Sequence, residues 1–80
     1  MSNRLPQVKA KDIVRVVTKL GFTFDRQSGS HAIYFRDSDR RRVVVPVHPG
    51  KDIKRKTLFG IIRDMGIEVE GFRKLKFHRN

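Results

Sequence analysis

Three histidines hold most of the proton-transfer chemistry this sequence can offer. His31 follows Gly29-Ser30 and opens a segment rich in β-branched and aromatic residues. His48 stands just before Pro49-Gly50, and His78 near the end of the chain reads as solvated. Basic residues then crowd together: Lys51, Lys54, Arg55 and Lys56 approach the start of a helical pattern, and Arg40-Arg41-Arg42 lies beside a turn. Lysines ahead of a helix have the wrong sign for its stability, because the macrodipole is already positive there. Backbone N–H groups and cations converging on one spot do suit a phosphate. Cations around an imidazole favour its neutral form, which is the form that takes a proton. On a bound polyanion the most useful proton is that of a ribose 2′-OH, whose oxygen can then attack the adjacent phosphorus while lysines stabilise the phosphoryl oxygens. The plainer readings are a rim histidine with a satisfied hydrogen bond and a solvated charge run.

Other chemistries find little to work with. The acids Asp12, Asp25, Asp37, Asp39, Asp52, Asp64, Glu68 and Glu70 are scattered, and none has metal-ligand spacing with a histidine. Ser28-Gly-Ser-His lacks the pattern of a serine nucleophile. With no cysteine there is neither a disulfide framework nor a thiolate metal site. No metal or cofactor is expected. Eighty residues make one small domain, too small for a deep, enclosed small-molecule cavity. Nineteen Lys and Arg against eight Asp and Glu give a net charge of +11, a field that draws polyanions. Nucleic acid, an acidic protein or an anionic membrane would each answer it. No apolar run approaches the ~20 residues that span a bilayer. The stretch from Met1 to Pro6 lacks the apolar core of a secretory signal, so the cytoplasm is the expected location and no membrane association is expected.

The elements that must position these residues are legible in outline. Residues 1–9 are polar, carry Pro6 and read as a flexible lead-in. Ile13, Val16, Val17 and Leu20 form one helical stripe, which Gly21-Phe22 ends. Leu58, Ile61, Ile62 and Met65 repeat the stripe, and Gly66-Ile67 repeats the stop. Between them the period falls to two: a short strand from Phe22, then residues 31–36 and 42–47, consecutive and therefore an antiparallel meander. Pro46 places the third strand at an edge. The expected fold is α+β, αβββα, with both helices on one face of a three-stranded sheet. For the second hairpin, the register that gathers most apolar side chains sets Phe35 opposite Val43, Ile33 opposite Val45 and His31 opposite Val47. A slip of one residue would set His31 opposite His48. Val69, Phe72 and Leu75 suggest a last helical turn that Gly71 weakens, and residues 73–80 read as a basic tail.

The ordered set Gly21-Phe22, Gly29-Ser30-His31, Val45-Pro46-Val47-His48-Pro49-Gly50-Lys51 and Thr57-Leu58…Ile61-Ile62-Arg63…Gly66-Ile67 resembles the HicA (YcfA-type) toxin family over residues 10–72. Each piece alone is weak; their order is specific. The resemblance implies a fold like the double-stranded-RNA-binding domain and a metal-independent mRNA interferase, the toxin of a type II toxin–antitoxin system. The catalytic histidine of the Gly-Ser-His motif would be His31. An acidic HicB-type antitoxin would occlude the active site. Where the family often has Pro-Gly before the second helix, this chain has Arg55-Lys56. Taken together, His31 is the expected general base on a 2′-OH of mRNA, and Lys51, Lys54, Arg55, Lys56, Ser30 and His48 are the expected RNA-binding residues. The general acid stays open between His48, a lysine and water. The alternative is a non-catalytic RNA-binding module of the same fold; an interaction protein matched to an acidic partner is a third reading.

Overall fold

The computed structural model describes residues 7–77. Their order is α1 (Ala10–Lys19), β1 (Thr23–Ser28), β2 (His31–Arg36), β3 (Arg41–Pro46), α2 (Arg55–Asp64) and α3 (Val69–Phe77). The three strands form an antiparallel sheet in the order β1-β2-β3, so the αβββα plan holds and a third helix follows it. Ile13, Val16 and Val17 of α1 and Leu58, Ile61 and Ile62 of α2 are buried together with Met65, Val43 and Val45. The two stripes therefore meet over one face of the sheet, as their matching periods predict. Asp12 accepts the Lys9 backbone N–H at 2.9 Å, anchoring the start of α1. At the other end the Gly21 and Phe22 amides donate to the Thr18 and Val17 carbonyls at 3.1 and 2.9 Å, and Phe22 folds back into the core.

The register of the second hairpin is not the one that apolar counting selects. His31 lies opposite Pro46, Ile33 opposite Val44 and Phe35 opposite Arg42. Ala32, Tyr34, Val43 and Val45 thus face the helices, while His31, Ile33, Phe35 and Val44 occupy the other face. The turn decides this. Arg36 opposite Arg41 closes a four-residue loop, Asp37 to Arg40, in which Arg40 takes a left-handed φ of 60°. Asp39 accepts two bonds from the Arg36 guanidinium, at 3.0 and 2.8 Å, and one from Arg41 at 3.1 Å. Small Ala32 beneath the helices also leaves room that Ile33 or Phe35 would fill.

At both ends the described residues pack further into the fold than their composition suggests. Val8 is fully buried, and Ile53 donates its backbone N–H to the Val8 carbonyl at 2.7 Å. Residues 1–6 of the expected lead-in lie outside the described residues. The expected basic tail continues α3 as far as Phe77, because Phe72 is wholly buried and Lys19 donates to the Leu75 carbonyl at 3.2 Å. Burial of one large aromatic ring outweighs the helix weakness of Gly71. His78 and the two residues after it lie outside the described residues.

Two outcomes follow for stability. Phe72→Ala should lower unfolding free energy by about 3–5 kcal/mol. Gly71→Ala, whose new Cβ meets only the Ile67 Cβ at 3.8 Å, should raise it by about 0.5–1 kcal/mol; urea unfolding reads both. Separately, the hydrogen bond from Arg36, reinforced by its charge and by Arg41, lowers the Asp39 carboxyl pKa from 3.8 to about 2. A depressed carboxylate contributes stability above its unfolded pKa and loses it as pH falls through the folded value. Asp39→Asn should therefore be less stable than the parent at pH 6, and the difference should shrink between about pH 4 and 2.

Candidate active site

The hairpin between β1 and β2 is what presents His31. Ser28 pairs with His31 across a two-residue loop, and Gly29 sits at φ 58° in its first position. That backbone is the requirement of the type II′ turn, whose twist suits a two-residue hairpin and which favours glycine there. His31 is then the first residue of β2, exposed, with Pro46 opposite. The Val47 N–H donates to the Ser30 carbonyl at 2.7 Å, carrying the pairing one step past β3 and setting residue 47 opposite residue 30.

A second turn brings the lysines. The Lys51 N–H donates to the His48 carbonyl at 3.0 Å, and Gly50 sits at φ 78°. Proline then glycine at the two central positions is the signature of a type II turn. Beyond it, Asp52 forms a bridge with Lys9 in the backbone and an ion pair in the side chains, Nζ to Oδ1 at 2.8 Å. The hydrogen bond and charge of Asp52 raise the Lys9 pKa, keeping its ammonium charged. This bridge and the Val8–Ile53 hydrogen bond tie the 48–54 segment to the strand-like entry of α1.

The result is a partly open pocket of about 470 Å³. Its apolar lining comes from Val44, Pro46 and Ile53, and its polar lining from His31, His48, Lys51 and Lys54. Asp52 and Thr57 complete it. Of the residues singled out from sequence, four come together here and three do not. Ser30 contributes a carbonyl to the ladder rather than a side chain to the pocket. Arg55 stacks over Phe59 at 5.8 Å, and Lys56 is exposed on the first turn of α2 outside the lining. Thr57 and Asp52 are additions. Thr57 had a readable signal, since it lies three residues after Lys54 and so on the same side of the helix start. Asp52 had none, because its role depends on a partner 43 residues away.

The cations divide into two kinds. Arg36 and Arg41 are structural: the first donates to the Leu20 carbonyl at 2.6 Å and the second to the Asp64 carbonyl at 3.3 Å, at the ends of α1 and α2. Among the described residues, neither Lys51 nor Lys54 makes an ion pair. The first turn of α2 has no acid and its N-cap, Lys54, makes no capping bond through its side chain. Unmatched ammonium groups and a positive helix end thus border the pocket that holds His31. Among the described residues no three His, Cys, Asp or Glu side chains gather as a metal-holding group, and no helix is long and apolar enough to cross a membrane.

Residues 10–67 match the family described as HicA toxin of bacterial toxin-antitoxin. The chain belongs to the HicA toxin family. The matched span contains every element from α1 to α2 and every pocket residue. It leaves out α3, which in this HicA chain closes the core with Phe72. No curated protein matches the chain significantly. As a HicA protein it is the toxin component of a toxin–antitoxin pair.

Beside this pocket the turn at Gly50 can be tested without touching a lining side chain. A Cβ there would meet nothing within 4 Å, yet the backbone would have to hold its left-handed φ. Gly50→Ala should lower stability by about 1–2 kcal/mol in urea unfolding, the opposite sign from Gly71→Ala.

Proposed function

We propose that this protein is a ribonuclease toxin that cleaves mRNA without a metal ion, with His31 as general base. The observation that carries the reading is the sharing of one pocket by an exposed imidazole and two unpaired lysines, in a chain of the HicA family. In this mechanism a ribose 2′-OH gives its proton to His31. Its oxygen attacks the neighbouring phosphorus, and the bond to the 5′-oxygen breaks. The products are a 2′,3′-cyclic phosphate and a 5′-OH. Lys51 and Lys54 hold the phosphate and offset the charge that builds on its oxygens. Arg55 and Lys56 lie next to them along α2 and would take flanking phosphates. Ser30 acts through the turn, and His48 contacts the same phosphate as the lysines. The apolar side of the pocket, Val44 with Pro46, offers a surface for a sugar or base edge.

The partner implied for such a toxin is an acidic antitoxin of the HicB type. A net charge of +11 gives it an electrostatic complement, and covering the His31 pocket would both neutralise the lysines and exclude RNA. An mRNA substrate puts the protein in the cytoplasm.

His31→Ala should reduce cleavage of a long single-stranded RNA by about 10²–10⁴-fold and leave RNA affinity nearly unchanged. Lys51→Ala and Lys54→Ala should weaken binding instead, each reducing the slope of log affinity against log salt by about 0.7. Cleavage undiminished in His31→Ala overturns the assignment. Binding by both proteins with cleavage by neither identifies a binding module of the same fold.

A further inference from the structure

Cleavage through a 2′-oxygen needs two proton transfers, and His31 supplies one. As the P–O5′ bond breaks, the departing oxygen must gain a proton, and an unassisted alkoxide is a poor leaving group. The ladder brings a second imidazole into the pocket of His31. His31 lies opposite Pro46, and the Val47-to-Ser30 hydrogen bond continues the pairing beyond it. His48 is therefore the diagonal neighbour of His31, two residues beyond its direct partner. Diagonal neighbours in an antiparallel pair stand roughly 7–8 Å apart, which leaves room for one phosphodiester between the rings. Pro46 and His48 both line the pocket with His31. The backbone of His48 is fixed by the turn that its own carbonyl closes with the Lys51 N–H.

We propose that His48 is the general acid of the reaction, donating the proton that the 5′-oxygen takes as it leaves. The inference rests on the ribonuclease reading and names a residue for the step which that reading leaves open. The balance is complete without a co-reactant. His31 takes the 2′-OH proton, the P–O2′ bond forms, the P–O5′ bond breaks, and the 5′-oxygen receives the His48 proton. Exchange with water then returns each ring to its starting state. The other polar groups in the pocket suit different tasks. Lys51 and Lys54 are placed to hold the phosphate. Imidazole gives and takes a proton near neutrality. Asp52 is engaged by Lys9 at 2.8 Å, and Thr57 has no acidic proton in this range.

The test is the leaving group. A dinucleotide or short RNA whose bridging 5′-oxygen is replaced by sulfur expels a thiolate, which needs no acid. The parent, His48→Ala, His48→Gln and His31→Ala are each assayed on the oxygen and the sulfur substrate. Circular dichroism melting follows each variant's fold; His48 is exposed, so both of its variants should melt as the parent does. Expected is a loss of about 10²–10⁴-fold for the His48 variants on the oxygen substrate, with most of the rate restored on the sulfur substrate. His31→Ala should lose rate on both. Equal losses for the His48 variants on both substrates, or no loss on either, overturn the general-acid assignment while leaving the ribonuclease reading standing. A parent protein that cleaves neither substrate overturns that reading and this inference with it.

Discussion

The pair Arg36 and Arg41, opposite each other at the closed end of the β2–β3 hairpin and joined through Asp39, constrains the whole domain. Each guanidinium also reaches a helix end: Arg36 donates to the Leu20 carbonyl just past α1, and Arg41 to the Asp64 carbonyl that ends α2. A cation at a helix C-terminus is favourable in its own right, and Arg36 lies over the Phe22 ring at 4.5 Å as well. One carboxylate therefore holds together the turn that sets the strand register and the two helices that cover the sheet. Since side chains alternate along a strand, that register settles every later position. Val43 and Val45 go to the core, Val44 and Pro46 to the pocket, and His31 to a place beside the exit of β3.

The far end of the same hairpin is held by backbone bonds together with the Lys9–Asp52 ion pair. Ser30 accepts from Val47, Val8 accepts from Ile53, and a Pro-Gly turn joins these two points. The pocket thus has no long free loop. Its lysines stand on a short segment whose backbone is fixed at both ends, which lowers the entropic cost of presenting them to a ligand. The core beneath it is dry: among the described residues no polar or charged residue is buried. The site's charge is confined to the surface, where an RNA backbone or an acidic partner can meet it.

Much of this was readable from residue order. The two helical stripes, their glycine stops and the strand meander all follow from local patterns. The register did not, and the reason is physical. Counting apolar residues favours Ile33 and Phe35 in the core, yet an arginine–aspartate turn and a small Ala32 under the helices select the neighbouring alignment. Arg41 reads as part of a basic cluster until its bonds to Asp39 and the Asp64 carbonyl are seen. Val8 and Asp52 carry no signal in composition or periodicity because each acts through a partner distant in sequence, whereas the spacing of Val69, Phe72 and Leu75 marks α3 but not its full length.

The most direct measurement is the chemical identity of the ends left on an RNA cut by the purified protein in EDTA. Transfer through a 2′-oxygen, with His31 as base, predicts a 2′,3′-cyclic phosphate on one fragment and a 5′-OH on the other, and no cut where the 2′-OH is methylated. A 3′-OH facing a 5′-phosphate would contradict it, since that outcome requires water as the nucleophile and a different arrangement of groups from the one around His31.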